Sequence, residues 1–345
     1  MENVKTEKVF KAMSNKIIPK KAQHFIPQGY LRRFTIEGQK SLIWQYDKLN
    51  GLISEHPVSI RKVCFKDFYY YQKDDSGNID HTSLEDGFSK IEKAGIKVIN
   101  KLSTKASPSK LIITGEERGQ LSFFIALMLT RNPAYRDGIN QSYGWLVQHT
   151  HHVLSENGEL PEPPEELKNL IAQKGIDNII KIDIFPQVSL GPMVEMARAL
   201  ALTMLKKIWI FYTPSDKKNF VTSDNPVNYG FIEELPNTSM GPLHPCAEVT
   251  IPLRKDLALT VTPSIGLLTE QAKELQYLCL KTTQQDMVTI NRRTAAAALQ
   301  YVYSSENSEE LLDLVKSVKN ESQKLVTDSD GEKRFSIIEN PYLSS

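Results

Sequence analysis

The sequence predicts an α+β fold that is rich in helix and forms a single large domain with short β segments. Apolar residues recur at helical spacing through the middle of the chain, whereas short alternating segments are grouped in two places. The chain has 345 residues, of which 40% are hydrophobic and 24% charged, so it can bury a substantial core.

The first part of the chain predicts strands after a basic lead. Residues 1–20 are rich in lysine, and we expect them to be mobile. We expect N-terminal strands near residues 42–71, where SLIWQYDK alternates and Asn50-Gly51 marks a hairpin turn. An aromatic run then leads into a polar turn at residues 74–78. Residues 21–345 are expected to form the single domain.

A helical half is predicted at about residues 83–207. Its first helix is indicated by apolar spacing at Leu84, Phe88, Ile91, Ile96 and Ile99. Thr114 and Glu117 have the spacing of a capping box, and Pro133 predicts the end of that second helix. Two further helices are expected in AYRDGINQSYGWLVQHTHHVL and GPMVEMARALALTMLKK.

The last third of the chain mixes strands and helices. IWIFYT and FVTSDNPV predict a central hairpin near residues 208–227, and EVTIPLRKDLALTVTP predicts strands near 249–262. Helices are expected in LTEQAKELQYLCL and QDMVTINRRTAAAALQ, then a strand in YVYSS and a helix in SEELLDLVKSVKNE.

Net charge, cysteine content and hydropathy limit the partners and the cellular compartment that the sequence predicts. The formal net charge of +1 gives no global attraction to nucleic acid or anionic membrane, so anion binding needs a local patch. Cys64, Cys246 and Cys279 are odd in number and far apart, which favours a reducing compartment and hence the cytoplasm. Neither a signal peptide nor an apolar segment of about 20 residues is found, so no membrane association is expected.

The sequence contains no phosphate loop, nucleophile elbow, zinc knuckle or dinucleotide fingerprint. His149 and His152 are three residues apart and could share a helix face, but no third ligand can be placed from the sequence. A solvated helix face explains them better, so no metal ligand is assigned. A divalent cation is left open as a cofactor.

The segment HFIPQGYLRRF is the first candidate site. Pro27 is suited to the first helical position, which would place His24 just ahead of a helix N-terminus and Gln28 in its first turn. A histidine there could act as general acid or base, and Arg33 could add a forked donor to the same anion. Alternatively, His24 only bonds a neighbouring carbonyl group and the arginines face water.

The segment TSDNPV is the second candidate. Asp224 follows a strand, and it either bonds nearby backbone in an Asx turn or orients His24 or a cation. Glu92 would have to supply the second acid for a cation. In TRNPAYRD, Arg131 either caps the helix end or closes on a bound phosphate. Substrate contacts are assigned to Gln28, Arg33, Tyr30, Ser223 and Asn225.

These blocks resemble a bacterial family known as domain of unknown function 4238. HFIPQGYLRRF is similar to its opening signature, and FVTSDNPV to its Phe-x-Thr-Ser-Asp-Asn-Pro-Val segment. WQYDK, VCFKDFYYY, TRNPAYR and IPLRKDLALTV agree in order, so the likeness spans about residues 22–305. Gly29 departs from the bulky aromatic residue that members often carry. The resemblance implies a bacterial or mobile-element protein with a role in defence against bacteriophage, and no established chemistry.

Two functional hypotheses follow. The first is an antiphage or toxin-like effector that cleaves phosphodiester bonds, with RNA as the favoured substrate. Its catalytic residues would be His24, Asp224 and Arg131. The second is a non-catalytic sensor whose same residues bind a phage component, a nucleotide or a host factor. A third alternative leaves both segments structural. The sequence does not indicate an oligomeric state.

Overall fold

The structure is a computed structural model that describes residues 21–73, 79–80, 82–102, 112–175, 184–215, 218–231, 241–263, 277–327 and 333–339. It has an α+β fold, as the sequence predicts, because long helices and small sheets occur together. The expected mobile segment at residues 1–20 and the polar turn at 74–78 lie outside the described residues, as does the first part of the helix expected at 268–280.

The helices of the middle region agree with the predicted helical half. The capping box at Thr114 forms, with the Glu117 carboxylate accepting from the Thr114 N–H at 2.9 Å. Pro133 does stop that helix, but it also begins the next one, which Asn132 caps. The helices are α1 (Gln28–Leu31), α2 (Ser83–Lys101), α3 (Gly115–Thr130), α4 (Pro133–Glu156), α5 (Glu165–Lys174), α6 (Leu190–Leu205), α7 (Gln284–Ala297) and α8 (Glu309–Ser317).

The strands are short, as expected. They are β1 (Ala22–His24), β2 (Leu42–Asp47), β3 (Leu52–Ile53), β4 (Val58–Ser59), β5 (Phe65–Asp67), β6 (Gln72–Lys73), β7 (Ile79–Asp80), β8 (Ile208–Thr213), β9 (Thr222–Ser223), β10 (Asn228–Phe231), β11 (Ala247–Arg254), β12 (Leu257–Thr262), β13 (Tyr277–Lys281), β14 (Tyr301–Ser304), β15 (Glu321–Thr327) and β16 (Lys333–Glu339). Short 3₁₀ turns occur at Arg32–Phe34, Ile60–Lys62 and Pro186–Ser189.

The larger sheet has the strand order β10-β11-β12-β8-β13. β11 and β12 form the hairpin that the Arg-Lys-Asp turn predicts. The central hairpin expected near 208–227 is wrong, because β8 pairs with β12 and β13 instead of with β9. The helix expected at 268–280 is also wrong at its end, where Tyr277–Lys281 is a strand parallel to β8.

The second sheet has the order β3-β2-β14-β9, and β4 also pairs with β2. The Asn50-Gly51 turn joins β2 to β3, as predicted, and Gly51 has a φ of +64° that a residue with a side chain adopts less readily. β14 lies between β2 and β9, so the segment TSDNPV leaves the sheet beside the chain that enters β14. This pairing brings residues about 80 apart in the sequence to one place.

The helical layer packs around α3, which lies against α2 and α6 and is buried at nearly every position from Leu121 to Thr130. Gly95 of α2 allows the closest approach, because a Cβ built on it would lie 2.5 Å from the Cβ of Phe124. α6 also contributes to the only candidate membrane span found among the described residues, Pro186–Leu205, with mean hydropathy 1.3 and 39% of that window buried. Met193, Leu200 and Met204 of α6 are fully buried in the core.

Candidate functional site

His24 lies on a two-stranded ribbon formed by β1 and β5, where it pairs with Phe65. The two rings are in contact, with their centroids 5.6 Å apart. The residues on either side of β5, Cys64 and Phe68, have φ values of +56° and +52°, which are uncommon for residues other than glycine. Such a conformation costs of order 1–3 kcal/mol per residue and persists only where its surroundings enforce it. The ribbon is therefore held in a specific geometry.

The His24 ring is half-buried and has polar neighbours on more than one side. Its Nε2 lies 3.4 Å from the amide nitrogen of Gln28. Burial lowers the pKa of His24, while backbone carbonyl groups of Arg61 and Ile60 and the carboxylate of Glu92 oppose that shift. A lowered pKa keeps the imidazole neutral at neutral pH, so that one ring nitrogen can accept a proton. Gln28 therefore adjoins His24, as the sequence predicts.

Arg131 is the nearby charged group, and it is fully buried at 0% exposure. Its Nη1 donates to Glu92 Oε1 at 2.6 Å, while Nε and Nη2 have no hydrogen-bond partner among the residues that the structure describes. Burial, the largest single effect, lowers the pKa of Arg131, but Glu92 together with Tyr70 and Tyr69 outweighs it and the net shift is upward. The charges of Arg131 and Glu92 both act on the pKa of His24, which places the three groups in one electrostatic neighbourhood.

The two unpaired atoms of Arg131 form one side of its guanidinium group. Nε–H and Nη2–H point the same way and match the two oxygens of a phosphate or carboxylate. A buried donor without a partner costs about 1–3 kcal/mol, so this arrangement is unfavourable unless something binds it. The helix-capping alternative does not describe the Arg131 side chain, because that side chain reaches Glu92 on α2.

Arg136 provides a contrast within the same sequence block. It is also buried, at 2% exposure, but its guanidinium nitrogens donate to Ser189 Oγ, the Tyr69 carbonyl and the Pro186 carbonyl at 2.6–2.9 Å. The group also lies 4.1 Å above the Tyr69 ring. Arg136 therefore links α4 to the segments at Tyr69 and at residues 186–189, whereas two of the three guanidinium nitrogens of Arg131 have no partner among the described residues.

The hydrogen bonds of Asp224 favour the structural alternative over the catalytic one. One carboxylate oxygen accepts from the Leu299 N–H at 2.8 Å, and the other accepts from Gln300 and Tyr301 at 2.9 Å each. Burial raises its pKa, and these three backbone donors and Lys48 oppose the shift. Because backbone donors occupy both oxygens, the geometry supports neither the orientation of His24 nor a cation ligand. Among the described residues, no hydrogen bond joins Asp224 to His24.

The other residues of TSDNPV also stabilise the backbone. Ser223 Oγ accepts from the Asn225 N–H at 3.1 Å, and Asn225 Nδ2 donates to the Ala297 carbonyl at 2.9 Å. Asn132 Nδ2 donates to the Asp224 carbonyl at 2.6 Å, which joins the Arg131 block to this segment. The Asx-turn alternative is therefore the one that the geometry favours for this segment, and the substrate contacts assigned to Ser223 and Asn225 have no support from it.

Tyr30 and Arg33 do not lie in the His24 neighbourhood either. The Tyr30 hydroxyl donates to the Pro252 carbonyl at 2.6 Å and lies 2.9 Å from the Thr222 hydroxyl, and the ring is fully buried. Arg33 packs at the β11–β12 turn, where its carbonyl accepts from Lys255. Burial, and then the nearby charges of Arg254 and Arg32, lower its pKa. The Tyr30 hydroxyl is therefore used by the protein itself, whereas Arg33 Nε has no hydrogen-bond partner among the described residues.

α1 begins after Pro27, which caps it instead of occupying its first position. With only four residues, α1 is too short to bind an anion at its N-terminus in the way that a full helix does. The structure pairs His24 with Gln28 and Arg131 with Glu92, and the charges of Arg131 and Glu92 act on the pKa of His24. The sequence suggested Glu92 only as a partner for Asp224. No sequence signal marked the Glu92–Arg131 pair, because the two residues are on different helices.

His149 and His152 lie on an exposed part of α4. His149 stacks on Trp145 with the rings 5.1 Å apart, and His152 pairs with Glu156 at 3.3 Å. Within the described ranges, no group of three or more His, Cys, Asp or Glu side chains is arranged to hold a metal ion. Cys64, Cys246 and Cys279 are free thiols.

These features define an α+β protein with a buried arginine that is only partly paired among the described residues, and a half-buried histidine whose pKa responds to the charge of that arginine. A family model described as "Protein of unknown function (DUF4238)" matches residues 22–308, and the chain belongs to this family. No curated protein and no solved structure matches the chain. The match covers the ribbon, the Arg131 block and the Asp224 segment.

Proposed function

We propose that this protein is an effector that cleaves phosphodiester bonds, with RNA as its substrate. The observation that carries the proposal is the side of the buried Arg131 guanidinium that has no partner among the described residues, in a group whose charge acts on the pKa of His24. A phosphate group offers the two acceptor oxygens that Nε–H and Nη2–H require. His24 supplies a group that can accept a proton at neutral pH.

RNA suits these residues because its own 2′-hydroxyl group can be the nucleophile. His24 would take the proton of the 2′-hydroxyl as its oxygen attacks phosphorus, and the P–O5′ bond would break. The 5′-oxygen would leave with a proton returned from His24 or from water. The products would be a 2′,3′-cyclic phosphate and a 5′-hydroxyl end. Arg131 would stabilise the charge that develops on the phosphate oxygens, and Glu92 would hold Arg131 in place.

This proposal replaces the earlier His/Arg/Asp arrangement by a His/Arg/Glu one. Asp224 then affects the site only through its backbone. Its carbonyl group accepts a hydrogen bond from the side chain of Asn132, the residue that follows Arg131. No step requires a divalent cation. Proton transfer by a positioned group contributes about 10²–10⁴-fold to rate, which sets the effect expected on removing His24.

The test is the incubation of purified protein with a single-stranded RNA, followed by analysis of the ends of any product. The proposal predicts 2′,3′-cyclic phosphate ends and at least about a hundredfold loss of rate in His24→Asn and Arg131→Met. Both variants must retain a cooperative thermal melt. Intact RNA with the wild-type protein, or unchanged cleavage by His24→Asn, would contradict the proposal.

The partly unpaired Arg131 guanidinium would also suit a protein that binds an anion without cleaving it. Arg131 is completely buried, and an anion that reached it would be released slowly, which suits a sensor for a nucleotide or a phage component. Binding would raise the melting temperature through linkage. The sensor would be favoured over the nuclease if 3′-nucleotides raise the melting temperature and the protein forms no product from RNA.

As the setting, we propose antiphage defence in the bacterial cytoplasm, with a phage-encoded component as the trigger. The family resemblance supports the defence role, and free thiols at Cys64, Cys246 and Cys279 are compatible with a reducing compartment. Phage protection that is lost in His24→Asn but kept in an exposed control variant would support this setting.

A further inference from the structure

An open cleft of about 410 Å³ lies directly beside the ribbon. Phe65 lines this cleft, and its ring contacts that of His24. Pro133, two residues after Arg131, lines it as well. His24 and Arg131 are not among the described residues that line the cleft, but Phe65 connects the cleft to the His24 ring. The volume lies within the range of about 300–1,000 Å³ that is typical of ligand pockets.

The mouth and the floor of the cleft differ in charge. Lys62 and Lys66 are exposed and line its mouth, next to Phe65, which is 37% exposed. The buried residues Asp224 and Tyr303 lie at its floor. An anionic group would therefore stay at the mouth, where the lysines are, and an uncharged polar group would be accepted deeper in the cleft.

The walls of the cleft add groups that recognise a nucleobase. Tyr301 and Phe65 supply aromatic surfaces, and Gln45 and Gln300 supply side-chain amides. Single-stranded RNA is recognised by stacking of unstacked bases on aromatic rings and by hydrogen bonds to base edges, with basic side chains on the phosphates. All three kinds of group occur together here.

We propose that this cleft binds the nucleotide next to the scissile phosphate of single-stranded RNA. Its base enters the cleft against Phe65 and Tyr301, and its flanking phosphates lie at Lys62 and Lys66. The proposal rests on the proposed function only in taking RNA as the substrate. Because one unstacked base must enter, single strands bind more tightly than duplexes.

The experiment measures binding of a fluorescently labelled short RNA by anisotropy. The protein carries His24→Asn so that the RNA stays intact. Lys62→Gln with Lys66→Gln should weaken binding about tenfold or more. It should also reduce the slope of log K against log salt by about 1.4, since each phosphate contact on a single strand contributes about 0.7. Phe65→Leu should weaken binding about fivefold or more through lost stacking.

A matched control changes the same charge elsewhere. Lys316 and Lys319 are exposed at the end of α8 and line no part of the cleft, so Lys316→Gln with Lys319→Gln should leave affinity and salt slope nearly unchanged. A second comparison uses DNA of the same sequence and an RNA duplex. Equal affinity for either of these ligands would overturn the assignment to single-stranded RNA.

The outcomes separate the cleft from the cleavage chemistry. If the cleft variants bind RNA as tightly as their parent while wild-type protein cleaves RNA, the cleft assignment is wrong and the proposed function stands. If they bind more weakly while wild-type protein never cleaves RNA, the cleft stands as a binding site for single-stranded RNA and the nuclease is wrong. If the His24→Asn parent binds no RNA at all, the cleft assignment is overturned.

Discussion

The Asp224 carboxylate should contribute more to folding stability than an ordinary surface acid. It accepts three backbone N–H groups, from Leu299 at 2.8 Å and from Gln300 and Tyr301 at 2.9 Å. These bonds fix the chain between α7 and β14 against the loop that follows β9. The substitution Asp224→Asn tests this role with almost no change of volume.

The loss of folding stability expected in Asp224→Asn follows from the hydrogen bonds that the variant cannot keep. An asparagine has one carbonyl oxygen, so it can keep the pair from Gln300 and Tyr301 or the bond from Leu299, and its amide group then faces a donor. A hydrogen bond to a charged group contributes about 1.5–3 kcal/mol, and a buried donor left unpaired costs about 1–3 kcal/mol. Relief from burying a charge offsets part of this loss. We expect a net loss of about 2–5 kcal/mol.

The assay is urea denaturation followed by circular dichroism, with the free energy of unfolding extrapolated to water. The control is Asp313→Asn on α8, which is exposed and should change stability by less than about 0.5 kcal/mol. A change in Asp224→Asn as small as that of the control would refute the structural role. It would also reopen the possibility that this carboxylate serves the site.

Three further predictions follow from the structure. Gly95→Ala should lower the free energy of unfolding by about 1–3 kcal/mol, because the new Cβ would overlap Phe124. Gly29→Ala should be tolerated, because the nearest new contact is an ordinary 3.5 Å to Ile96. Thermal melts of the two variants test this difference. Arg136→Met should lower the melting temperature more than Arg131→Met, because Arg136 uses all three of its guanidinium nitrogens in contacts with the protein and Arg131 uses one; equal losses would contradict the difference. His24 has a pKa below 6.5 in the folded state, so the unfolded chain binds more protons near and below that pH, and stability falls with acidification. His24→Asn should therefore lose less stability than wild type between about pH 7.5 and about pH 5.5. Equal losses in urea titrations would be evidence against the lowered pKa.

Local patterns predicted individual elements well. The capping box at Thr114, the turn at Asn50-Gly51 and the β11–β12 hairpin all depend on residues within a few positions of each other. The pairing of β8 with β12 and β13 depends on contacts between distant segments, which hydrophobic alternation cannot distinguish from a hairpin with β9. The strand at Tyr277–Lys281 was missed because a short apolar segment fits either period.

The candidate site was predicted only in part, for the same reason. Gln28 is four residues from His24, and their contact follows from local geometry. Glu92 and Arg131 are 39 residues apart in the sequence, and their contact depends on how closely α2 and α3 pack, which no pattern in the sequence predicts. The sequence left Asp224 open between a structural and a catalytic role, and only the fold shows that its carboxylate accepts from the backbone of residues 299–301.

The central claim, an anion site at Arg131 beside His24, is tested most directly by NMR titration of the His24 imidazole, assigned by comparison with His24→Asn. In the free protein its pKa should lie below 6.5. With a saturating 3′-nucleotide the bound phosphate should raise that pKa, and Arg131→Met should abolish the rise. A His24 pKa that is the same with and without the nucleotide would contradict the account.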